Sequence, residues 1–102
     1  MVLLDFAIYP LDKGESVSAY VARALDIVDR SGLPYRCHAM GTTIEGDYPQ
    51  VMEIVRQCFE ALAVDSSRIE CSIRIDYRKG SEPRLEGKIS SIEAKLGREI
   101  HT

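Results

Sequence analysis

Ile69-Glu70-Cys71-Ser72-Ile73-Arg74-Ile75-Asp76-Tyr77-Arg78 alternates without interruption, its odd-numbered residues mostly apolar and its even-numbered ones polar. A period of two over this length predicts a strand with one face on a core and the other polar. Upstream the period changes. Val51, Ile54, Val55, Cys58, Phe59 and Leu62 recur at helical spacing after Asp47 and Pro49, a proline placed where a first helical turn tolerates it. Val64 to Ser67 is a loop between that helix and the strand.

The same reading extends to both ends. Leu4, Phe6 and Ile8 alternate with Asp5, Ala7 and Tyr9 from Val2 to Tyr9, and Pro10 ends that strand. Ser16 is placed to cap a helix reaching about Arg30. Its stripe is Val17, Tyr20, Val21, Ala24, Leu25 and Val28, and Gly32 and Pro34 stop it. Tyr35 to Met40 and Thr42 to Glu45 read as two strands joined tightly at Gly41. After a polar loop, Lys79 to Pro83, a closing helix from Arg84 to Leu96 carries Leu85, Ile89, Ile92 and Leu96. The order β-α-β-β-α-β with an added C-terminal helix is an α+β, ferredoxin-like two-layer sandwich. Right-handed crossovers give an antiparallel sheet in the order 4-1-3-2, with the second and fourth strands at the edges.

A chain of 102 residues accommodates one domain, residues 1–102. Sixteen acidic residues against thirteen basic ones leave a net charge of −3, which argues against nucleic acid as a partner. No apolar run approaches bilayer length, so no membrane is expected, and the start lacks the features of a signal peptide. The expected location is the cytoplasm. Cys37, Cys58 and Cys71 have no C-x-x-C or Cys/His ligand spacing and read as buried, reduced thiols, with no metal site.

In this fold the helices should cover Leu4, Phe6, Ile8, Ile73 and Ile75. The opposite face then carries Asp5, Thr43, Glu45, Arg36, His38, Ser72, Arg74 and Asp76. Asp5, Glu45 and Arg74 converge there, either as a solvated face or as one closed by another subunit. Closure by a subunit is favoured, and the long fourth strand also invites pairing.

Gly41-Thr42-Thr43-Ile44-Glu45-Gly46 places two hydroxyls and a carboxylate between two glycines, with Thr43 and Glu45 on one side. With Tyr9-Pro10, Ser16-Val17-Ser18-Ala19-Tyr20-Val21-Ala22, Ile73-Arg74-Ile75-Asp76-Tyr77-Arg78 and Lys88-Ile89, this segment makes the sequence resemble the YkoF-like thiamine-binding family nearly end to end. The resemblance implies a non-catalytic pocket for thiamine or its hydroxymethylpyrimidine moiety, and a homotetramer built from dimers. It brings no enzymatic activity, and no cofactor beyond that ligand. Some relatives hold two tandem copies of the domain; here a pair must come from two chains.

The candidate ligand-binding residues on that basis are Tyr9, Ser18, Thr42, Thr43, Glu45 and Arg74. Glu45 suits the pyrimidine amino group, and Thr43 or Ser18 completes the edge. Tyr9, Tyr20, Tyr48 or Tyr77 would face the thiazolium cation, while Arg74 would hold Glu45 or Asp5. His38 reads as a solvent or interface histidine, and Arg78, Lys79 and Arg84 as charges of a solvated loop. The alternative from another class is an oligomeric scaffold or regulatory module without a small ligand. An acylphosphatase-like hydrolase ranks lower still, because the chain contains no asparagine to position water.

Overall fold

The computed structural model describes residues 1–80 and 83–102. Its elements are β1 (Val2–Pro10), α1 (Ser18–Arg30), β2 (Tyr35–His38), β3 (Gly41–Gly46), α2 (Tyr48–Ala63), β4 (Ile69–Tyr77) and α3 (Gly87–Leu96). The four strands form one antiparallel sheet in the order β2-β3-β1-β4, the expected ferredoxin-like arrangement with its added helix. Central β1 is in register with both neighbours: Leu4 opposes Ile44 and Ile75, and Asp5 opposes Thr43 and Arg74.

Boundaries shift for local reasons. Pro10 is the last residue of β1 rather than the residue beyond it, opposite Ile69. It needs no ladder partner there, because the next bond runs from the Leu11 N–H to the Arg68 carbonyl at 2.8 Å. α1 begins at Ser18, preceded by Val17, so Ser16 does not cap it. β2 stops at His38, since Ala39 and Met40 form the turn into β3. Asp47 does precede α2, with its backbone N–H donating to Gln50 Oε1 at 2.9 Å. α3 starts at Gly87, later than the apolar spacing suggested, and buries none of its residues. Within the predicted Lys79–Pro83 loop, residues 81 and 82 lie outside the described ones.

α1 and α2 pack on each other and on β1. The core is Leu4, Phe6 and Ile8 with Ile44 from β3, Ala24 and Val28 from α1, and Val51, Ile54, Val55, Cys58 and Leu62 from α2. Two expectations need correcting here. Ile73 and Ile75 point to the helix side yet remain 43% and 39% exposed, because the two helices pack mainly on central β1 and only α2 reaches β4, whose Ile69 joins the core. Of the three cysteines only Cys58 is buried; Cys37 and Cys71 lie on edge strands and are exposed. Burial pushes the Cys58 thiol up to about 11, and its Sγ lies 3.5 Å from the Ala24 carbonyl oxygen. Alkylation followed by peptide mass analysis should therefore label Cys37 in the native protein and Cys58 only after unfolding. Equal labelling rates would contradict this packing.

Candidate functional site

The β2–β3 turn depends on one glycine. A Cβ on Gly41 would stand 2.8 Å from the Phe6 carbonyl oxygen, so only glycine lets β3 approach β1 at that point. Beside this turn, between the sheet end and the first half of α1, lies a cleft of about 360 Å³. Phe6, Ile8, Val17, Val21, Ala24 and Leu25 supply apolar walls, and Tyr9, Cys37, His38 and Thr42 supply polar atoms. Both the volume and this mixture are typical of small-molecule sites. Thr42 is only 5% exposed as a residue and lines the cleft.

A second, shallower groove of about 610 Å³ lies on the opposite face of the sheet, lined by Asp5, His38, Thr43, Arg74, Asp76 and Lys88 among others. Asp5 Oδ1 accepts from Thr43 Oγ1 at 2.9 Å and lies 3.3 Å from His38 Nε2. The Met40 N–H donates to His38 Nδ1 at 3.3 Å, so the ring proton belongs on Nε2, aimed at Asp5. Arg74 stands opposite Asp5 in the ladder but forms no ion pair among the described residues.

The structure divides the sequence-predicted residues among three places. Tyr9 and Thr42 line the cleft; Ser18 follows Val17, which lines it, but is itself exposed and does not. The Tyr9 hydroxyl donates to Glu70 Oε1 at 3.2 Å, and that carboxylate raises the Tyr9 pKa above the usual phenol value. Thr43 and Arg74 face the groove on the other side. Glu45 lines neither. It is 3% exposed, and its Oε2 accepts from the Arg84 N–H at 2.5 Å and the Leu85 N–H at 3.3 Å. Tyr20, considered for a cation, already carries the Arg23 guanidinium 5.2 Å from its ring centroid.

Glu45 thus anchors the segment leading into α3, and three further contacts fasten that segment to the open face. Arg84 Nη1 and Lys88 Nζ donate to Asp76 Oδ2 at 3.0 and 2.7 Å, holding the Asp76 carboxyl below the usual range. Arg36 pairs with Glu86, with Nε 3.0 Å from Oε1. Arg84 is therefore not a solvated loop charge; its side chain is 15% exposed. Glu45→Ala should lower the unfolding free energy by ~1–3 kcal/mol, the cost of leaving the Arg84 and Leu85 donors unpaired. Urea unfolding reads this directly, and an unchanged midpoint would show that the anchor carries no stability.

His38 is the residue that sequence reading undervalued, because it borders both depressions. The signal was its position beside the turn that Gly41 imposes. Val17, Val21 and Leu25 were read only as packing, yet they wall the cleft.

Residues 4–93 match the family described as thiamine-binding protein. A UPF0045 protein of Mycobacterium bovis is 38% identical over 96 residues, covering 93% of this chain and 94% of that one. A UPF0045 protein of Methanocaldococcus jannaschii is 34% identical, covering 89% of this chain and 91% of that one. A hypothetical protein of known structure from the same organism superposes with a TM-score of 0.83 at 34% identity, over 89% of this chain and 94% of that one. A Thermotoga maritima protein proposed to act in thiamine biosynthesis or salvage shares the fold, with a TM-score of 0.79 at 23% identity over 89% and 97% of the two chains. The match over residues 4–93, together with relatives of this identity and coverage, places the chain in the thiamine-binding protein family.

Proposed function

We propose that this protein binds thiamine or a related hydroxymethylpyrimidine compound, without transforming it, in the cleft between α1 and the β2–β3 turn. The observation that carries the reading is the largely apolar cleft of about 360 Å³ that Tyr9, His38 and Thr42 edge with polar groups. A flat aminopyrimidine suits such walls, and its edge offers both a donor and an acceptor to one hydroxyl. The thiazolium cation then belongs beside the ring of Tyr9, which lines the cleft. Binding without turnover is supported by the engagement of His38: Met40 donates to Nδ1, and Nε2 is turned to Asp5. We further propose that the protein works in the cytoplasm as a homo-oligomer, a homotetramer built from dimers, for which the thinly covered β4 and the half-open polar face are the supporting features.

Isothermal titration with thiamine, hydroxymethylpyrimidine and thiamine phosphate tests the ligand. Saturable heat is expected for at least the first two. Thr42→Val, nearly isosteric, should weaken binding about three- to tenfold, the worth of one neutral hydrogen bond. An absence of heat with all three ligands would favour the ligand-free scaffold instead.

A further inference from the structure

We propose that His38 is a pH-operated latch on the β2–β3 turn: its neutral ring holds the turn in place as a wall of the cleft, and protonation of the ring frees the turn and weakens ligand binding. The effect on affinity rests on the ligand-binding cleft proposed for this protein; the latch itself does not.

The turn contributes a large share of the cleft. Cys37, His38, Ala39, Met40, Gly41 and Thr42 line it as one continuous stretch. The two ends of that stretch are fixed by the β2–β3 ladder, in which Cys37 opposes Thr42 and His38 opposes Gly41. Met40 at the tip is 82% exposed, so packing does not fix it. A side chain does: the Met40 N–H donates to His38 Nδ1 at 3.3 Å. The ring is held in turn from the opposite face of the sheet. His38 Nε2 lies 3.3 Å from Asp5 Oδ1, which accepts from Thr43 Oγ1 at 2.9 Å. One imidazole thus ties the tip of the cleft wall to the open-face groove, and it borders both depressions.

Protonation decides whether the tie to Met40 exists. A neutral imidazole has one acceptor nitrogen, here Nδ1, and an imidazolium has none. Once protonated, Nδ1–H confronts the Met40 N–H, donor against donor, while Nε2–H keeps its place beside Asp5. Acid therefore releases the turn without releasing the ring. The charged groups on the groove side are Asp5 from β1, Arg74 and Asp76 from β4 and Lys88 from α3. Arg36, two residues along β2, is paired with Glu86. On the cleft side the titratable neighbours are Tyr9 and Cys37. These groups set where the change falls within the histidine range, but none restores an acceptor to Nδ1. The closed turn holds the neutral ring, so closing it around a ligand expels a proton. Affinity then rises with pH across the interval in which histidine titrates, about pH 5–8.

NMR of the ligand-free, isotope-labelled chain reads the latch. As pH falls from 7.5 to 5.5, the Met40 amide proton should move upfield, the direction of a lost hydrogen bond, with the same midpoint as the His38 ring. His38→Asn is the discriminating variant. Its side-chain oxygen can accept from the N–H two residues on, as asparagine does in turns, and cannot be protonated in this range. There the Met40 amide should stay still. A Met40 amide indifferent to pH in the wild type, or moving equally in His38→Asn, would overturn the latch. Calorimetric titration with hydroxymethylpyrimidine at both pH values reads the consequence. Wild-type affinity should fall about three- to tenfold more than that of His38→Asn, the worth of one hydrogen bond. The change in the variant measures the titration of the ligand's own ring. Equal changes in the two proteins would break the link between latch and binding. No heat with the wild type at either pH, while Met40 still follows His38, would remove the cleft reading and the effect on affinity together, leaving the latch standing.

Discussion

Val21→Trp is expected to abolish saturable binding of thiamine and hydroxymethylpyrimidine, with a loss of at least a hundredfold, which is about 2.7 kcal/mol. Val21 is half-buried on α1 and looks into the cleft between Val17 and Leu25. An indole there occupies the space a pyrimidine ring would take from a cavity of about 360 Å³. It replaces a residue at the edge of the core rather than within it, so cooperative unfolding should persist. Titration calorimetry of the variant, with a melting curve as control, reads both quantities. Arg74→Ala is the counterpart on the opposite face and should leave affinity for these ligands within about twofold. Undiminished binding by the tryptophan variant, or its loss in Arg74→Ala, would move the ligand to the groove over Asp5 and Thr43.

The largest loss of stability is expected from Leu4→Ala. Leu4 has no exposed surface, lies on the central strand between Ile44 and Ile75, and belongs to the cluster formed with α1 and α2. Emptying such a site costs the transfer free energy of the lost methyl groups plus the cavity left behind, about 2–5 kcal/mol. For a domain of this size that is a large part of the total stability. Ile75→Ala, one strand away in the same row, should cost less within the subunit because that side chain is already 39% exposed. Equilibrium urea unfolding of the two variants, at concentrations that hold association constant, separates them. Equal losses would mean that the helices cover Ile75 after all.

Element type and sheet order were legible because two signals reinforced each other. The period of two in β1 and β4 specified strands, and the helical stripes between strands specified crossovers. Handedness then left one order of strands. Which side of the sheet each residue faces was legible for the same reason: Asp5, Thr43 and Arg74 do share a face. How far that face is covered was not. Periodicity shows that Ile73 and Ile75 point toward the helix layer, but it carries no information on where across the sheet the helices settle. Glu45 shows the other limit. Its strand parity was read correctly, yet its partners are the backbone donors of Arg84 and Leu85, 39 and 40 residues away. No local pattern announces such a contact. The cleft was half legible. Thr42 and Tyr9 stand out as polar groups in the right segments, while the walls from Val17, Val21 and Leu25 are indistinguishable in sequence from ordinary helix packing.

The most direct test of the central claim is a map of backbone amide shifts in the isotope-labelled protein during titration with hydroxymethylpyrimidine. Progressive shifts concentrated at Val17, Val21, Gly41 and Thr42, with Asp5, Arg74 and Asp76 nearly still, are the predicted result. Shifts centred on Asp5, Thr43 and Arg74 with the cleft silent, or no shifts at saturating ligand, would contradict it.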